Sequence, residues 1–324
     1  MTGELVRLDT KGLVPAVVVE LGRKAERTFV EFFTAHLSND HTRRAYAHAA
    51  ADLSDWLALQ GWSLAGLEPV EAATYIESLK KEGKATSTIK ARLSALRNLC
   101  DYMASKGALE WNPFSVVRAP RVSAGEGKTP ILEAEDVRAL FGSIGIEDVV
   151  DLRDRAILSL MLYTFARVGA VVKVDGRHYE AGSARASIAL HEKRGRFHRV
   201  PCHHQLHEAM EAFLVVSPVG PRTPVFRSAD RARDDEGRRQ LTRRRLQPRN
   251  VLTMVKRRAA AVGLPGESVC NHSFRGTGIT NFMENGGAID VAAGIAGHSS
   301  TKTTQLYNRS AQAVQRDEIE RVRF

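Results

Sequence analysis

Residues 271–309 read NHSFRGTGITNFMENGGAIDVAAGIAGHSSTKTTQLYNR. In this stretch His272 and Arg275 are three residues apart, a spacing that places them on one face of a helix. His298 follows a glycine, and Tyr307 comes nine residues after it. An arginine and two histidines close to a tyrosine supply anion-binding donors, proton-transfer groups and a nucleophile. The stretch therefore predicts a site for chemistry on a phosphate ester.

Two segments further upstream carry cations that suit the same chemistry. Arg167 follows the strongly apolar stretch 152–165, which predicts a buried helix. Lys193 lies between the runs SIAL and HRVP, which are typical of two strands of a hairpin. Two arginine forks can hold the non-bridging oxygens of a phosphodiester, a lysine can protonate the leaving oxygen, and a tyrosine can attack phosphorus. Attack by tyrosine keeps the energy of the broken bond in a phosphotyrosine ester, so no ATP is needed to rejoin the strand. This agrees with the absence of a P-loop motif from the sequence.

A length of 324 residues predicts two domains. Apolar residues at helical spacing predict a small all-α bundle before residue 107. The second half predicts helices interrupted near 171–201 by short β-branched runs, VVKV among them, which favour a small antiparallel sheet. The predicted fold class is therefore mainly α with a small antiparallel β-sheet in the second domain. The predicted segments are an extended N-terminal arm (1–22), a helical domain (23–107), a Pro/Gly-rich linker (108–130), a second domain (131–309) and a tail helix (310–324).

The charge pattern indicates a polyanionic partner. The formal net charge is +10, and residues 222–258 hold 13 basic and 4 acidic side chains, most of the basic ones arginine. Arginine binds phosphate through two parallel hydrogen bonds, so this cluster predicts contacts to a nucleic-acid backbone. The predicted DNA-contacting residues are Arg243, Arg244 and Arg245 in the cluster, and Arg43, Arg44, Lys84, Lys90 and Arg97 on the polar face of the first bundle.

Taken in order, these motifs resemble those of the tyrosine recombinases, or phage integrases, a family that includes the Xer and Cre-like enzymes. The segment His272-Ser-Phe-Arg275 resembles the family's His-x-x-Arg, and Ala-Gly-His298 resembles its Leu-Gly-His. Residues 303–307, TTQLY, resemble the family's Thr-Thr-x-x-Tyr, in which the tyrosine is the nucleophile. The resemblance covers residues 24–310 and implies that the first domain is a SAM-like core-binding domain and the second a catalytic domain.

The resemblance also implies a role for each site residue. The enzyme would be a site-specific recombinase that cleaves and rejoins DNA through a 3′-phosphotyrosine intermediate, in the integration, excision or resolution of a mobile element or replicon. No cofactor and no metal are implied. The implied roles are Tyr307 as the nucleophile, Lys193 as the acid for the leaving oxygen, Arg167 and Arg275 as the phosphate clamp, His272 as the base and His298 as a donor to the phosphate.

The implied partners are double-stranded DNA and further copies of the chain, in a synaptic tetramer on two DNA sites. The sequence leaves open whether an accessory or directionality factor is needed, and whether the tail packs in cis or in trans. The N-terminus lacks the apolar segment of a secretory signal, and no apolar run is long enough to span a membrane. The expected location is the cytoplasm, in association with the nucleoid.

Alternatives stay open at this level. Ala170 stands where the family usually has an acidic residue, which keeps a non-cutting DNA-binding regulator on the same fold in consideration. Gly276 stands directly after His-x-x-Arg, where the family commonly has a histidine. A type IB topoisomerase-like enzyme would use the same nucleophile without pairing two sites. Cys202 and its neighbouring histidines resemble a zinc cluster, but adjacent strand residues point to opposite faces, so we favour no metal there.

Overall fold

The computed structural model describes residues 14–120, 130–182, 186–191, 197–234, 236–298, 300–305 and 307. The chain divides into two compact units, Met1–Gly125 and Glu126–Phe324, so the boundary lies inside the predicted linker. Each unit has its own apolar core. No helix within the described ranges has the length and apolar character needed to cross a membrane.

The described part of the first unit consists of helices joined by turns and short loops. Leu57, Ile89, Leu93 and Leu96 are buried at its centre, which confirms the apolar faces expected from helical spacing. The third helix begins after Asn39, whose side chain accepts hydrogen bonds from two backbone N–H groups. The helices are α1 (Ala16–Val19), α2 (Arg23–Glu31), a π-helical turn (Phe32–His36), α3 (Asp40–Gln60), α4 (Pro69–Lys81) and α5 (Thr86–Ser105).

Two predicted boundaries of this unit are wrong. Residues 1–22 were expected to be an extended arm, but Ala16–Val19 is a helical turn whose Val17 and Val18 are buried in the core. The start of the predicted linker is also part of the domain, since Phe114 and Val117 are buried and Arg97 donates to both of their carbonyl oxygens. Proline and glycine content indicated a linker here, but apolar burial decides the packing.

In the described part of the second unit, helices and two small antiparallel sheets surround the buried helix α7. Strand β2 pairs with β1 and β3, with Ile188 opposite both Tyr179 and Val200. Strands β4 and β5 form a separate hairpin. The elements are α6 (Ala134–Gly142), α7 (Val149–Tyr163), α8 (Val168–Val171), a 3-10 turn (Gly176–His178), β1 (Tyr179–Glu180), β2 (Ser187–His191), β3 (Phe197–Pro201), α9 (His204–Val216), β4 (Arg227–Arg233), β5 (Arg239–Arg245), α10 (Pro248–Ala261), α11 (Asn271–Glu284), α12 (Ile289–Ile295) and α13 (Thr301–Gln305).

The structure confirms a small antiparallel sheet in the second unit, but the prediction of one of its strands is wrong. The run VVKV at 171–174 continues the short helix α8 into a turn, and the pairing edge is instead Tyr179–Glu180. Val171 and Val174 are buried in the main core, so tertiary packing overrides their β propensity. The β4–β5 hairpin was not predicted, because its seven-residue strands are rich in arginine rather than apolar residues.

The close approach of α7 and α11 fixes the position of the site. A Cβ added to Gly278 of α11 would lie 2.1 Å from the carbonyl oxygen of Leu162 and 2.8 Å from the ring of Phe165. The glycine therefore allows α11 to pack directly on the end of α7. Phe165 itself has a φ of +54°, a left-handed conformation that costs a bulky residue about 1–2 kcal/mol.

Gly278→Ala is expected to destabilise the second unit by about 3 kcal/mol, because the added methyl group meets rigid backbone. Denaturant unfolding would measure the change. Gly294→Ala is the matched control, since Gly294 also lies in a helix but has open space around its Cβ position; it should be neutral or stabilise by up to about 1 kcal/mol. Equal effects of the two substitutions would contradict this account of the α7–α11 contact.

Candidate active site

The turn between α7 and α8 presents two parts of the site. Helix α7 ends at Tyr163, and Arg167 is the N-terminal flanking residue of α8, where its side chain is half-buried. Between them, Phe165 turns its carbonyl oxygen toward Arg275, which donates a hydrogen bond to it from Nη1. The unusual backbone of Phe165 is thus stabilised by the second arginine of the predicted pair.

Arg275 is the most confined charged group of the site, with 2% of the residue exposed. Besides its bond to Phe165, its Nη2 donates to the carbonyl oxygen of Ala296 at 2.8 Å and to Nε2 of His298 at 2.5 Å. A buried guanidinium is stable only when acceptors surround it. These contacts hold the plane of the guanidinium in one orientation.

His298 connects Arg275 to the segment that carries the tyrosine. Its Nε2 faces Nη2 of Arg275, and its Nδ1 lies 2.8 Å from Oγ1 of Thr304. An arginine nitrogen only donates, so the contact with Arg275 is a hydrogen bond in the tautomer that leaves Nε2 without a proton. Donation from His298 to a phosphate remains a prediction.

Tyr307 lies beside His298 in a partly apolar setting. The two rings are nearly parallel, 7° apart, with centroids separated by 6.4 Å. Tyr307 is half-buried and packs on a small cluster that includes Phe165 and Ile279. A Cβ added to Gly276 would lie 3.2 Å from the tyrosine ring, so the absence of a side chain at this position leaves space for Tyr307.

The other predicted catalytic residues differ in what the structure shows. His272 is exposed on the first turn of α11, on the same helix as Arg275. Lys193 lies outside the described residues, in the segment that joins β2 to β3. The structure therefore brings Arg275, His298 and Tyr307 together and places Arg167 on the adjoining turn.

The arginine cluster is mostly engaged within the protein. Asp148, Asp151 and Asp154 lie three residues apart along the start of α7, and four arginines surround them. Burial by itself would raise the pKa of Asp151, but hydrogen bonds and charge from Arg258 and Arg239 outweigh it and hold the pKa below its usual value. The ion pairs are Arg153–Asp154, Arg239–Asp148, Arg239–Asp151, Arg257–Asp154, Arg258–Asp151 and Arg258–Asp154.

The three predicted DNA contacts of β5 fall into two groups. Arg245 donates to Asp175 at 2.5 Å and to the carbonyl oxygen of Val172 at 2.7 Å, so its guanidinium supports the domain. Arg243 and Arg244 are exposed. Their contact with DNA remains a prediction, and it is better supported than that of Arg245.

The first-unit cations divide in the same way. Arg43 binds Asp40 and the carbonyl oxygen of Leu37, and Arg97 holds the 112–117 segment as described above. Lys84 lies 3.6 Å from Glu82 in an exposed pair, which contributes little to stability. Arg44 is exposed and Lys90 half-buried. Arg43 and Arg97 therefore have structural partners, and DNA contact stays a prediction for all five.

The cysteine–histidine segment has local structural partners. Burial raises the pKa of the Cys202 thiol to about 11, so it is protonated at neutral pH. The ring of His203 stacks on Tyr163 with centroids 4.2 Å apart, and Nδ1 of His207 lies 2.6 Å from the hydroxyl of Tyr179. No group of three or more potential metal ligands occurs in the part of the chain that the structure describes.

Comparison with known proteins identifies the class. The Phage integrase family matches residues 130–313, and the phage integrase N-terminal SAM-like domain matches residues 30–107. The first match covers more than half of the chain, so the chain belongs to the phage integrase family. The predictions of a tyrosine recombinase, an enzyme that cleaves and rejoins DNA, and of a mainly helical fold with small antiparallel sheets are confirmed.

Individual relatives agree with this assignment. Tyrosine recombinase XerC 1 of Ralstonia nicotianae is 29% identical over 283 residues, which cover 83% of each chain. XerC of Mycobacterium tuberculosis is 29% identical over 279 residues, which cover 84% of this chain and 89% of the relative. Together with the family match, they confirm the prediction of a site-specific recombinase.

Two solved structures show the likeness in fold. The XerH recombinase in its post-cleavage complex with a palindromic difH substrate superposes with a TM-score of 0.69 at 16% identity, over 96% of this chain and 91% of that one. A lambda integrase tetramer bound to a Holliday junction gives a TM-score of 0.67 at 15% identity, over 90% of this chain and 78% of that one.

The acidic row on α7 predicts a loss of stability in acid. The depressed pKa values of Asp148 and Asp151 mean that their contribution is complete above the unfolded-state value of 3.8 and is lost as pH falls through the lower folded values. Urea unfolding of the wild type should therefore show a marked drop below about pH 4. Arg239→Gln should be less stable at neutral pH and should lose less on acidification.

The exposed Arg243 on the same strand provides the control for that measurement. Arg243→Gln should leave both the neutral stability and the acid drop nearly unchanged, because its side chain is exposed. An acid drop in Arg239→Gln as large as that of the wild type would show that the ion pairs do not carry the effect.

Proposed function

We propose that this recombinase cleaves double-stranded DNA with Tyr307 and holds the scissile phosphate with Arg275 and Arg167. The observation that carries the proposal is the placement of the Arg275 guanidinium by Phe165, Ala296 and His298, together with the ring of Tyr307 lying beside that of His298. Donors fixed before the reaction stabilise developing charge without reorganisation, which is the largest catalytic contribution in many enzymes.

The proposed first step is an in-line transesterification. The phenolic oxygen of Tyr307 bonds to phosphorus and its proton passes to His272, while the bond from phosphorus to the 5′ oxygen breaks and Lys193 supplies the proton of the new 5′-hydroxyl. The product is a 3′-phosphotyrosine. In the second step the 5′-hydroxyl of a partner strand attacks phosphorus and gives its proton to Lys193, while the bond from phosphorus to tyrosine breaks and His272 returns a proton to the tyrosine oxygen.

We also propose that copies of the chain assemble on two DNA sites as a tetramer. The lambda integrase neighbour, a tetramer on a Holliday junction, supports this assembly by its likeness in fold. The segment 310–324, predicted to be a tail helix that packs in cis or in trans, lies outside the described residues and stays a prediction. The proposed location is the cytoplasm, on nucleoid DNA.

The nucleophile can be tested by trapping the covalent intermediate. Duplex DNA from the flanks of the coding sequence, nicked beside the cleavage position, would lose its short leaving strand and leave the protein attached. After denaturation the wild type should migrate as a protein–DNA adduct. Tyr307→Phe should form none, because it lacks the phenolic oxygen.

Tyr46→Phe is the control, since Tyr46 packs in the first unit and loses only a hydroxyl. It should form the adduct at the wild-type rate. An adduct that persists in Tyr307→Phe would assign the nucleophile to another residue. Tight and specific DNA binding by a wild-type protein that forms no adduct would favour the non-cutting regulator.

The salt dependence of DNA affinity should distinguish the exposed Arg243 and Arg244 from Arg245, whose partners lie within the protein. Each lost phosphate contact reduces the slope of log affinity against log salt by about 0.9. The double variant Arg243→Gln/Arg244→Gln should therefore bind a random-sequence duplex with a shallower salt dependence. Arg245→Gln should keep the wild-type slope but melt at a lower temperature, because it breaks the bond to Asp175. The reverse pattern would show that Arg245 faces the DNA.

A further inference from the structure

Two side chains from different parts of the second unit bind neighbouring carbonyl groups at the end of α12. Nη2 of Arg275 donates to the carbonyl oxygen of Ala296 at 2.8 Å, and Nε2 of His198 lies 3.2 Å from the carbonyl oxygen of Ile295. Arg275 belongs to α11, whereas His198 is the second residue of β3. The last carbonyl groups of a helix have no partner within the helix, so they are available to accept from such donors.

We infer that His198 is a positioning residue of the active site, which ties the strand that follows Lys193 to the segment that holds Arg275. Strands β2 and β3 pair as far as His191 and Phe197, and residues 192–196 between them include Lys193. The inference rests on the proposed function, since it concerns the residues proposed there as the acid and the phosphate clamp.

The position of His198 on its strand explains why the side chain needs a polar partner. Side chains alternate along a strand, and the half-buried His198 shares a face with the buried Val200. Opposite it on β2 stands Leu190, which has no exposed surface. A polar ring at the edge of an apolar face is stable only with a hydrogen-bond partner. A carbonyl oxygen only accepts, so His198 donates to Ile295 from Nε2.

The bond connects two parts of the second unit that lie far apart in the chain. His198 and Ile295 are separated by 97 residues. Ile295 packs against both the main core and the small cluster that contains Phe165, so packing holds the carbonyl group that it offers. The pairing of β3 with β2 moves with these strands, whereas the His198 bond attaches them to another element. His198 therefore restricts the motion of β3, and of the connection that precedes it, relative to Arg275.

A purely structural role and a role in proton transfer are the alternatives, and substitutions can distinguish them. Glutamine can place an amide N–H near the position of Nε2 but does not titrate at neutral pH. Methionine has nearly the same length and shape as glutamine and no donor. His198→Gln and His198→Met are therefore a matched pair. His204→Met is the control for the loss of an imidazole, because His204 is exposed at the start of α9.

The first readout is amide hydrogen exchange of the free protein, which is independent of activity. His198→Met should accelerate exchange about tenfold both in residues 197–200 and in residues 289–298, because each segment loses a contact that opposes local opening. His198→Gln and His204→Met should exchange as the wild type does in both segments.

The second readout is the single-turnover rate of adduct formation with two leaving groups. A nicked duplex with sulfur in place of the bridging 5′ oxygen releases a thiolate, which needs no proton because a thiol is far more acidic than an alcohol. On the ordinary phosphate, Lys193→Ala should be about a hundredfold slower than the wild type and His198→Met about tenfold slower. On the sulfur substrate both should come within about threefold of the wild type, and His198→Gln should do so on both substrates.

Three outcomes would overturn the inference. One is exchange in His198→Met that matches the wild type. Another is a slow rate of His198→Met on the sulfur substrate while Lys193→Ala recovers, which would assign a purely structural role. The third is an equal loss in His198→Gln, which would favour proton transfer.

Failure of the proposed function would look different. Either the wild type would form no adduct, or Lys193→Ala would stay slow on the sulfur substrate. The exchange measurement would still decide whether His198 connects β3 to the end of α12.

Discussion

The burial of one guanidinium, that of Arg275, is the constraint on which the second unit depends. Taking an arginine out of water is costly unless every direction of its fork meets an acceptor. Its acceptors Phe165 and Ala296 are 110 and 21 residues away in the chain, so they converge only when α7, α11 and α12 are packed together. The group proposed to hold the phosphate is therefore also a condition for the fold, and its orientation is fixed before DNA binds.

The backbone around this arginine shows what the convergence requires. Phe165 adopts a left-handed conformation and Gly278 has no side chain, and both features bring α11 against the end of α7. The cost of the Phe165 conformation, about 1–2 kcal/mol, is of the same size as one hydrogen bond to a charged group. The strain is thus offset locally by the contact that the site needs.

Sequence could predict the parts of this arrangement that are local. Helical spacing identified the buried faces of α7 and of the first-unit helices, and the ordered motifs identified Arg275, His298 and Tyr307 as one site. It could not predict Thr304 as the partner of His298, since that contact depends on how α13 folds back on the ring. The row Asp148, Asp151 and Asp154 was a readable signal, because acidic residues three apart at the start of a buried helix need partners.

The ion pairs with those acidic residues change the interpretation of the arginine-rich β4–β5 hairpin. Counting charges indicated that the whole cluster faces DNA, whereas Arg239 at one end of β5 binds Asp148 and Asp151 and Arg245 at the other end binds Asp175. Leu241 packs against the core between them. A strand anchored at both ends loses little further conformational freedom when Arg243 and Arg244 contact a phosphate. If Arg243 and Arg244 contact DNA as predicted, Arg239 and Arg245 assist that binding indirectly, by holding the strand between them in place.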